Sequence, residues 1–330
     1  MTTIRDVARH ASVAAMTVSR VLNDPESVAP DTRARVQQAI DELHYIPNRL
    51  GIGLRSRHTR VLALVVSDIR NPFAIKQILG VSTAARQHDY TVIFVHTDAS
   101  PDEEMAQLRS LVERRVDGVI LSPVLNTPDA VQFLLEQRIP VVVLDYPMPE
   151  VDVDTVRCDS VIAAHGLTEH LISLGHERIA MLSGSAKIVT ARERAAGYAS
   201  AMAAAGLGEQ VLFGEYSAES GGVMAETVLR TDRQPTAFVT ANNFIALGAA
   251  RAAIREGLRI PEDLSIVTFD DPGEDFVLDP FFTGVVQPVK KMASIATGLL
   301  LERINGDGQA PGREILLPMA FEQRASTAPA

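Results

Sequence analysis

Seven short apolar runs begin at Val61 and recur along the chain, separated by stretches of helical length. They are VLALVV (61–66), TVIFVH (91–96), GVILSPV (118–124), PVVVLD (140–145), RIAMLSG (178–184), TAFVTA (236–241) and LSIVTFD (264–270). Such runs between helices are typical of parallel strands buried on both faces of a sheet. About 270 residues are too many for one such unit, so we expect an α/β core of two doubly wound parallel-sheet subdomains.

The residues that follow these runs are the first candidates for a binding site. Ligands of open α/β sheets bind beyond the carboxyl ends of the strands. The residues at these positions are Asp68 to Phe73, Asp145, Ser183 to Lys187, Asn242 to Phe244, Asp270 and Asp271.

The first 45 residues have the pattern of three short helices instead. The first helix follows Thr3, and Asp6 three residues later completes an approximate capping box. Its apolar face comprises Ile4, Val7, Ala8 and Ala11. After a break at Ser12 and Val13, a second helix runs to Asn23 with Val18, Val21 and Leu22 facing inward. The third begins at Pro30, a favoured first helical residue, and ends at Pro47; its apolar face comprises Val36, Ala39, Ile40 and Leu43. This pattern describes a helix-turn-helix, whose second helix enters the major groove of DNA.

Charge separates this small all-α headpiece from the rest of the chain. Residues 1–60 hold nine arginines, no lysine and six acidic residues, a net charge of +3. The remainder holds 22 basic and 35 acidic residues, a net charge of −13. A weakly basic head on an acidic body is compatible with a nucleic-acid-binding module, although chance variation among surface charges would give the same balance.

Several classes of protein are disfavoured by composition. The single cysteine, Cys158, can form neither an internal disulfide nor a cysteine zinc site. His165, His170 and His176 lack the spacing of a helical zinc pair, and no catalytic motif or phosphate loop is found. We therefore expect no cofactor, no metal and no enzyme activity.

No apolar run approaches the ~20 residues of a membrane helix and no signal peptide is recognised, so we expect a cytoplasmic protein with no membrane partner.

The whole chain resembles the lactose-repressor/galactose-repressor family of bacterial transcription regulators. The head matches in IRDVARHASVAAMTVSRVLN (4–23) and DELHYIPN (41–48). The body matches in DIRNPF (68–73), RRVDGVIL (114–121), LGHERIA (174–180), PTAFVTANNFIALG (235–248) and VTFDD (267–271). The resemblance implies a headpiece at 1–46, a hinge at 47–60, and a core at 61–330 like that of periplasmic sugar-binding proteins. It divides the core into subdomain one (61–160 plus 289–318) and subdomain two (161–288 plus 319–330).

The resemblance also implies which residues contact DNA. Ala15 and Met16 begin the recognition helix and touch base edges together with Arg20, which can pair with a guanine. The full set of expected DNA-binding residues is Thr3, Ala15, Met16, Thr17, Ser19, Arg20, Asn23, Asn48 and Leu54. Leu54 is the hinge residue that would wedge into the minor groove. Packing of Met16 into the small core, and a plain flexible linker at 47–60, are the alternatives.

Two departures from the family pattern lie in the head and one in the hinge. Ser12 occupies a turn position that is usually Gly, and Ala14 occupies a helix-start position that is usually Ser or Thr. A lost N-cap costs ~1 kcal/mol. Gly51 and Gly53 replace an alanine-rich hinge and disfavour a helix there.

The family's effector lies between the two subdomains. The residues carried over to that site are Asn71, Phe73, Asp145, Arg194, Asn242, Phe244 and Asp270. Their donors and acceptors suit vicinal hydroxyls or carboxylates. Arg70 and Lys187 would favour a sugar acid if they face the site; otherwise they are solvated surface charges. Asp270 as a simple cap and Arg194 as a surface ion-pair residue are further alternatives.

These observations lead us to expect a homodimeric repressor of a near-palindromic operator, controlled by a small sugar-like or sugar-acid effector. The chain ends in QRASTAPA without apolar heptads, so a coiled-coil tetramer is not expected. The alternatives are a small-molecule-binding protein or sugar-metabolising enzyme on the same core, and a constitutive DNA binder without an effector.

Overall fold

The computed structural model describes residues 2–46, 58–270, 281–306 and 310–330, which form two compact units, Met1–Thr59 and Arg60–Ala330. The first unit contains α1 (Ile4–His10), α2 (Ala15–Asn23), a short 3₁₀ turn (Pro25–Ser27) and α3 (Pro30–Glu42). Its core consists of small and β-branched residues from all three helices, chiefly Val7, Ala8, Ala11, Val18, Val21, Val36, Ala39 and Ile40. The predicted helix-turn-helix headpiece is therefore present.

The third helix is shorter than the sequence predicts. Pro47 was expected to end α3, but the helix ends at Glu42. His44 adopts a left-handed φ of 46°, and the Tyr45 N–H donates to the Ile40 carbonyl at 2.9 Å. This is the pattern of a Schellman motif, which closes a helix and usually has Gly where His44 lies.

The second unit contains two six-stranded sheets. Sheet one has the order β11-β5-β4-β3-β1-β2 and all its pairs are parallel. Its strands are β1 (Val61–Val66), β2 (Thr91–His96), β3 (Gly118–Leu121), β4 (Val141–Leu144), β5 (Asp154–Cys158) and β11 (Glu314–Leu317). Helices cover both of its faces: α4 (Pro72–Arg86) and α11 (Val289–Asn305) on one, α5 (Pro101–Glu113) and α6 (Asp129–Glu136) on the other.

Sheet two has the order β12-β10-β9-β8-β6-β7, with only β12 antiparallel to its neighbour. Its strands are β6 (Ile179–Ser183), β7 (Val211–Phe213), β8 (Ala237–Thr240), β9 (Ser265–Phe269), β10 (Thr283–Val286) and β12 (Ala320–Glu322). Its helices are α7 (Ser160–Ser173), α8 (Val189–Ala204), α9 (Ala218–Leu229) and α10 (Asn243–Arg255). The chain passes between the two sheets after β5, after β10 and after β11, so each half of the core uses distant parts of the sequence.

Strand β5 shows how a polar segment is held inside a sheet. Asp154, at its start, is 1% exposed and accepts from Arg303 Nε at 2.8 Å and Arg313 Nε at 3.0 Å. Burial would raise the pKa of Asp154, but these two guanidinium groups lower it to about 2. Two arginines from the end of the chain thus fix the strand after which the chain first crosses to sheet two.

Within the described ranges, no helix is both long enough and apolar enough to span a bilayer.

Candidate functional site

The turn between α1 and α2 is a Schellman motif built around Ser12. The Val13 N–H donates to the Ala8 carbonyl at 2.9 Å, and the Ser12 N–H donates to the Arg9 carbonyl at 3.3 Å. Ser12 has a φ of 53°, a conformation that costs little only for Gly. The tight turn therefore forms, although the residue usually found there is missing.

Helix α2 begins without a side-chain cap. Ala14 has the extended backbone of an N-cap but makes no side-chain hydrogen bond, whereas Thr3 and Asp6 form the complete capping box predicted for α1. The hydrogen bonds from Thr3 lower the pKa of Asp6. Helix α2 therefore depends on packing: Val18 and Val21 are buried, and Leu22 lies against the same core.

The opposite face of α2 is open to solvent. Met16 is 49% exposed, so it does not fill the small core. Arg20 is exposed, and Ala15, Thr17 and Ser19 are partly exposed. The structure therefore places Met16 and Arg20 on the exposed face of α2, with Thr17 and Ser19 partly exposed. Ala15 packs partly against the core of the head, and Thr3 caps the preceding helix. The side chain of Asn23, and the residues Asn48 and Leu54, lie outside the described residues.

A cavity of about 250 Å³ lies between the two halves of the second unit. All seven residues expected at the effector site line it: Asn71, Phe73, Asp145, Arg194, Asn242, Phe244 and Asp270. The first three come from the half built on sheet one, and the others from the half built on sheet two. Asp145 and Asp270 directly follow a strand and Asn242 lies two residues after one, as expected for the carboxyl edge of a parallel sheet.

Two asparagines at the cavity serve as helix caps. Asn71 Oδ1 accepts from the Phe73 N–H at 3.0 Å at the start of α4. Asn242 Oδ1 accepts from the Ile245 N–H at 2.9 Å at the start of α10. Because capping uses the amide oxygen, the NH₂ group of each side chain is the part that can donate to a ligand.

Arg194 is the most enclosed charged group of the cavity, since its side chain is only 4% exposed. Its Nη1 donates to the Ala241 carbonyl and lies 3.5 Å from Asp270 Oδ2. Its guanidinium carbon lies 4.3 Å from the centre of the Phe269 ring, a cation–π distance. Burial opposes its charge, yet Asp270 and other nearby acidic groups keep the pKa of Arg194 raised. Arg194 is thus not a surface ion-pair residue.

Asp145 and Asp270 combine an unusual backbone with carboxyl groups at the cavity. Their φ angles are 74° and 60°, in the left-handed region that Asp tolerates better than most residues. Gln287 Nε2 donates to Asp270 Oδ1 at 2.6 Å. Within the described part of the chain, no donor is found for the Asp145 carboxylate. Burial, and then repulsion from Asp270, raise the pKa of Asp145 to about 7.

Several cavity residues had no recognisable signal in the sequence. They are Gln77, Ser122, Tyr146, Thr190 and Tyr216. Gln77 Nε2 donates to Ser122 Oγ at 3.3 Å inside the first half. Tyr216 packs against Gly184, where an added Cβ would lie 2.3 Å from the ring. Gly184 therefore gives a tyrosine from a distant loop room at the cavity, a relation that only the folded chain reveals.

Of the two cations named as possible anion contacts, Arg70 lines the cavity but is already paired with an acidic residue. Arg70 Nε lies 2.8 Å from Asp68 Oδ1, and its side chain is 74% exposed. Lys187 is not among the residues that line the cavity. The hydrogen bonds from Arg70 outweigh burial and lower the pKa of Asp68. The described cavity therefore presents no cation without an acidic partner.

Comparison with known proteins places both units in one family. Residues 3–48 match the model of bacterial regulatory proteins of the lacI family. Residues 59–298 match the model of periplasmic binding proteins and the sugar binding domain of the LacI family. Catabolite control protein A of Priestia megaterium is 32% identical over 329 residues, which cover 98% of this chain and 99% of that protein.

Two solved structures resemble the whole chain. The lac repressor dimer bound to operator and the anti-inducer ONPF superposes with a TM-score of 0.88 at 28% identity, covering 99% of both chains. The complex of the transcriptional regulator CelR with cellobiose gives a TM-score of 0.74 at 31% identity, covering 99% of this chain and 100% of the other.

Proposed function

This chain belongs to the LacI family of DNA-binding transcription regulators, and from that premise we propose that it is a repressor whose operator affinity is controlled by a small sugar-like effector. The observation that carries this proposal is the pairing of two sites in one chain. One is an outward, arginine-bearing recognition helix; the other is a cavity between two halves where Arg194, Asp145 and Asp270 converge.

In this proposal, α2 reads the operator in the major groove. The exposed guanidinium of Arg20 donates two hydrogen bonds to a guanine, and Met16 with Ala15 contacts a thymine methyl group. Thr17, Ser19 and Asn23 contact phosphates or bases. Thr3 and Asn48 contribute further contacts, and Leu54 contacts the minor groove.

Selection from a pool of random-sequence duplexes tests this operator proposal. We expect the full chain to enrich a near-palindromic sequence, and Arg20→Ala to weaken discrimination at one base pair per half-site by roughly 1–3 kcal/mol. Arg233→Ala, which removes an exposed arginine of the second unit, is the matched control and should retain the selected sequence. Enrichment of no sequence, or equal behaviour of both variants, would refute operator reading.

The chemistry of the cavity favours an uncharged polyhydroxy effector over a sugar acid. Arg70 is paired with Asp68 and Arg194 with Asp270, whereas the Asp145 carboxylate stays available to accept from a hydroxyl. Phe73 and Phe244 offer apolar surface for the face of a sugar ring. The volume of about 250 Å³ lies just below the roughly 300–1,000 Å³ of drug-sized pockets, so we propose a ligand near the size of a monosaccharide.

Titration calorimetry with matched pairs of ligands tests the effector class. Neutral aldoses and the aldonic or uronic acids made from them form the panel. We expect a neutral member to bind more tightly than its acid, and Arg194→Met to abolish that binding. Arg192→Met is the control, because Arg192 lies on the same helix but is exposed. Tighter binding of the acid would restore the sugar-acid hypothesis, and binding of neither would refute the proposed class.

We propose that the protein is a homodimer whose subunits meet through α9 and α10. This surface exposes Val223 (61%) and Ile254 (64%) and carries charges of both signs, Glu226 and Arg255, as a self-complementary interface requires. Val223→Asp should give monomers in sedimentation experiments. Ile162→Asp replaces an equally exposed apolar residue of α7 (70%) and should leave the dimer intact.

Duplex selection and calorimetry also distinguish this regulator from a constitutive DNA binder and from an enzyme. A constitutive DNA binder would select an operator but respond to no ligand, and an enzyme would turn over the sugar that binds. We propose that the protein is not an enzyme, needs no cofactor and acts in the cytoplasm, because the similar protein of Priestia megaterium is a catabolite control protein.

A further inference from the structure

An arginine and a glutamate from different halves of the second unit meet beside the cavity. Arg157 belongs to β5 of sheet one, and its Nη1 donates to Glu193 Oε1 at 3.1 Å and to Oε2 at 3.3 Å. Glu193 belongs to α8, whose buried residues Tyr198 and Met202 pack in the core of sheet two. The ion pair therefore connects the two halves directly.

The Arg157–Glu193 pair is shielded from water. The side chains of Arg157 and Glu193 are 14% and 19% exposed. Burial raises the pKa of Glu193, and the charge of Arg157 opposes this rise. Exposed ion pairs contribute little because water screens them, whereas the loss of one partner from a shielded pair leaves an uncompensated charge. Separating the halves at this point is therefore costly.

The pair also lies next to the groups that form the cavity. Glu193 directly precedes Arg194, which lines the cavity. The charges of both Glu193 and Arg157 influence the Asp145 carboxyl group. Arg157 is the penultimate residue of β5, just before the chain first crosses to sheet two. The contact thus fixes α8 against sheet one at the cavity.

We propose that the Arg157–Glu193 pair is a tie between the two halves, which holds α8 and the Arg194 side chain in a fixed position relative to sheet one. If the arrangement that an effector selects breaks this tie, the tie adds to the free-energy difference between the two arrangements. This consequence for the effector rests on the proposed function, whereas the tie itself does not.

The chain supplies a matched control for this tie. Arg157 has a second partner, Glu314, whose Oε1 lies 2.7 Å from Arg157 Nε and whose side chain is 48% exposed. Glu314 belongs to β11, which pairs with β5 in the same sheet. Glu314→Gln therefore removes an ion pair of the same arginine without affecting a contact between the halves.

The test measures the distance between the halves in the full chain, without effector or DNA. Spin labels are attached to Arg109→Cys on α5 and Ser200→Cys on α8, both exposed positions. The native Cys158 stays, because burial raises the pKa of its thiol to about 12 and leaves it unreactive. Pulsed electron paramagnetic resonance on labelled chains diluted with unlabelled protein then reports distances within one chain.

We expect a narrow distance distribution in the parent protein and one roughly twofold wider in Glu193→Gln and in Arg157→Gln. The double variant should be no wider than the wider single variant, because both changes break the same contact. Glu314→Gln should match the parent.

A Glu193→Gln distribution that equals the parent, or equal widening by Glu314→Gln, would overturn the tie. If Arg157→Gln fails to fold, the comparison of the near-isosteric variants Glu193→Gln and Glu314→Gln still tests whether the tie exists. Because neither DNA nor effector is present, the outcome is independent of whether the regulator proposal holds.

Discussion

At the scale of single residues, Asp145 is the cavity residue whose backbone and carboxyl group are held in the least favourable state. Its backbone is left-handed, with a φ of 74°, and its carboxylate has no described donor. Burial places its pKa at about 7, far above the value of ~3.9 expected in an unfolded chain. Such a group destabilises the ligand-free protein while offering a strong acceptor to a ligand hydroxyl.

Replacing Asp145 should therefore stabilise the protein in a pH-dependent way. Between about pH 4 and pH 7 the native state binds more protons at this site than the unfolded state, so stability falls as pH rises through that window. We expect Asp145→Asn to raise the free energy of unfolding at pH 8 by on the order of 2 kcal/mol and to have little effect at pH 4. Urea unfolding at both pH values measures this difference.

Asp68 serves as a control, because its pKa is shifted in the opposite direction to that of Asp145. Arg70 lowers its pKa despite partial burial, so the ionised form stabilises the native state above the unfolded pKa and this contribution disappears on acidification. Asp68→Asn should therefore destabilise the protein at pH 8. A pH-independent effect of Asp145→Asn, or destabilisation by it at pH 8, would contradict the assignment of a raised pKa.

Ser12 imposes a smaller cost in the head. A non-glycine residue in the left-handed region costs roughly 1–2 kcal/mol, partly offset by the extra entropy of an unfolded glycine. We expect Ser12→Gly to stabilise the head by up to about 1 kcal/mol, measured by amide hydrogen exchange of α1 and α2 in the full chain. Ser19→Gly, the same substitution inside α2, should weaken protection, and stabilisation by both variants would indicate another cause.

At the scale of elements, α2 lacks the cap that α1 has. Ala14 has φ −74° and ψ 149°, a backbone suited to an N-cap side chain. Ala14→Ser should therefore stabilise α2 by about 1 kcal/mol, with stronger hydrogen-exchange protection of its first turn. Ala15→Ser places the same hydroxyl one residue inside the helix and should give no gain. Equal protection in both variants would show that capping does not limit this helix.

The sequence predicted the strands that have a continuous apolar run of their own. All seven apolar runs contain strands, and TVIFVH coincides with β2 from Thr91 to His96. The strands β5, β7, β10, β11 and β12 were not predicted. β7, β11 and β12 lie at sheet edges and bury few side chains. β5 is a polar segment that can lie inside the sheet because Arg303 and Arg313 neutralise its buried Asp154. Strands of this kind have no continuous apolar run by which the sequence could reveal them.

Only some of the residues that line the cavity could be predicted from the sequence. Residues that follow strands, such as Asp145 and Asn242, could be selected because parallel strands end at one edge of a sheet. Arg194 came from the family resemblance alone, since it lies inside a helix of weak pattern. Tyr216 and Gln77 could not be selected, because only tertiary packing brings them to the cavity.

At the scale of the whole molecule, the proposed functions of operator reading and effector sensing lie in different units. The head presents Arg20 and Met16 outward on α2, and the second unit holds the cavity between halves joined by three crossings and by the Arg157–Glu193 tie. Sensing then requires that the effector binds one arrangement of the halves more tightly than the other. Without that difference the cavity would bind a ligand with no effect on DNA.

Operator affinity measured at increasing effector concentration tests this central claim most directly. The operator and the effector are those obtained by duplex selection and by calorimetry. We expect the operator Kd to change by about 5- to 150-fold, in a way that saturates with the effector's own Kd. Arg194→Met should abolish this change, and Arg192→Met should preserve it. An operator Kd that stays constant at saturating effector, in a protein that binds both ligands, would contradict control of operator binding by the effector.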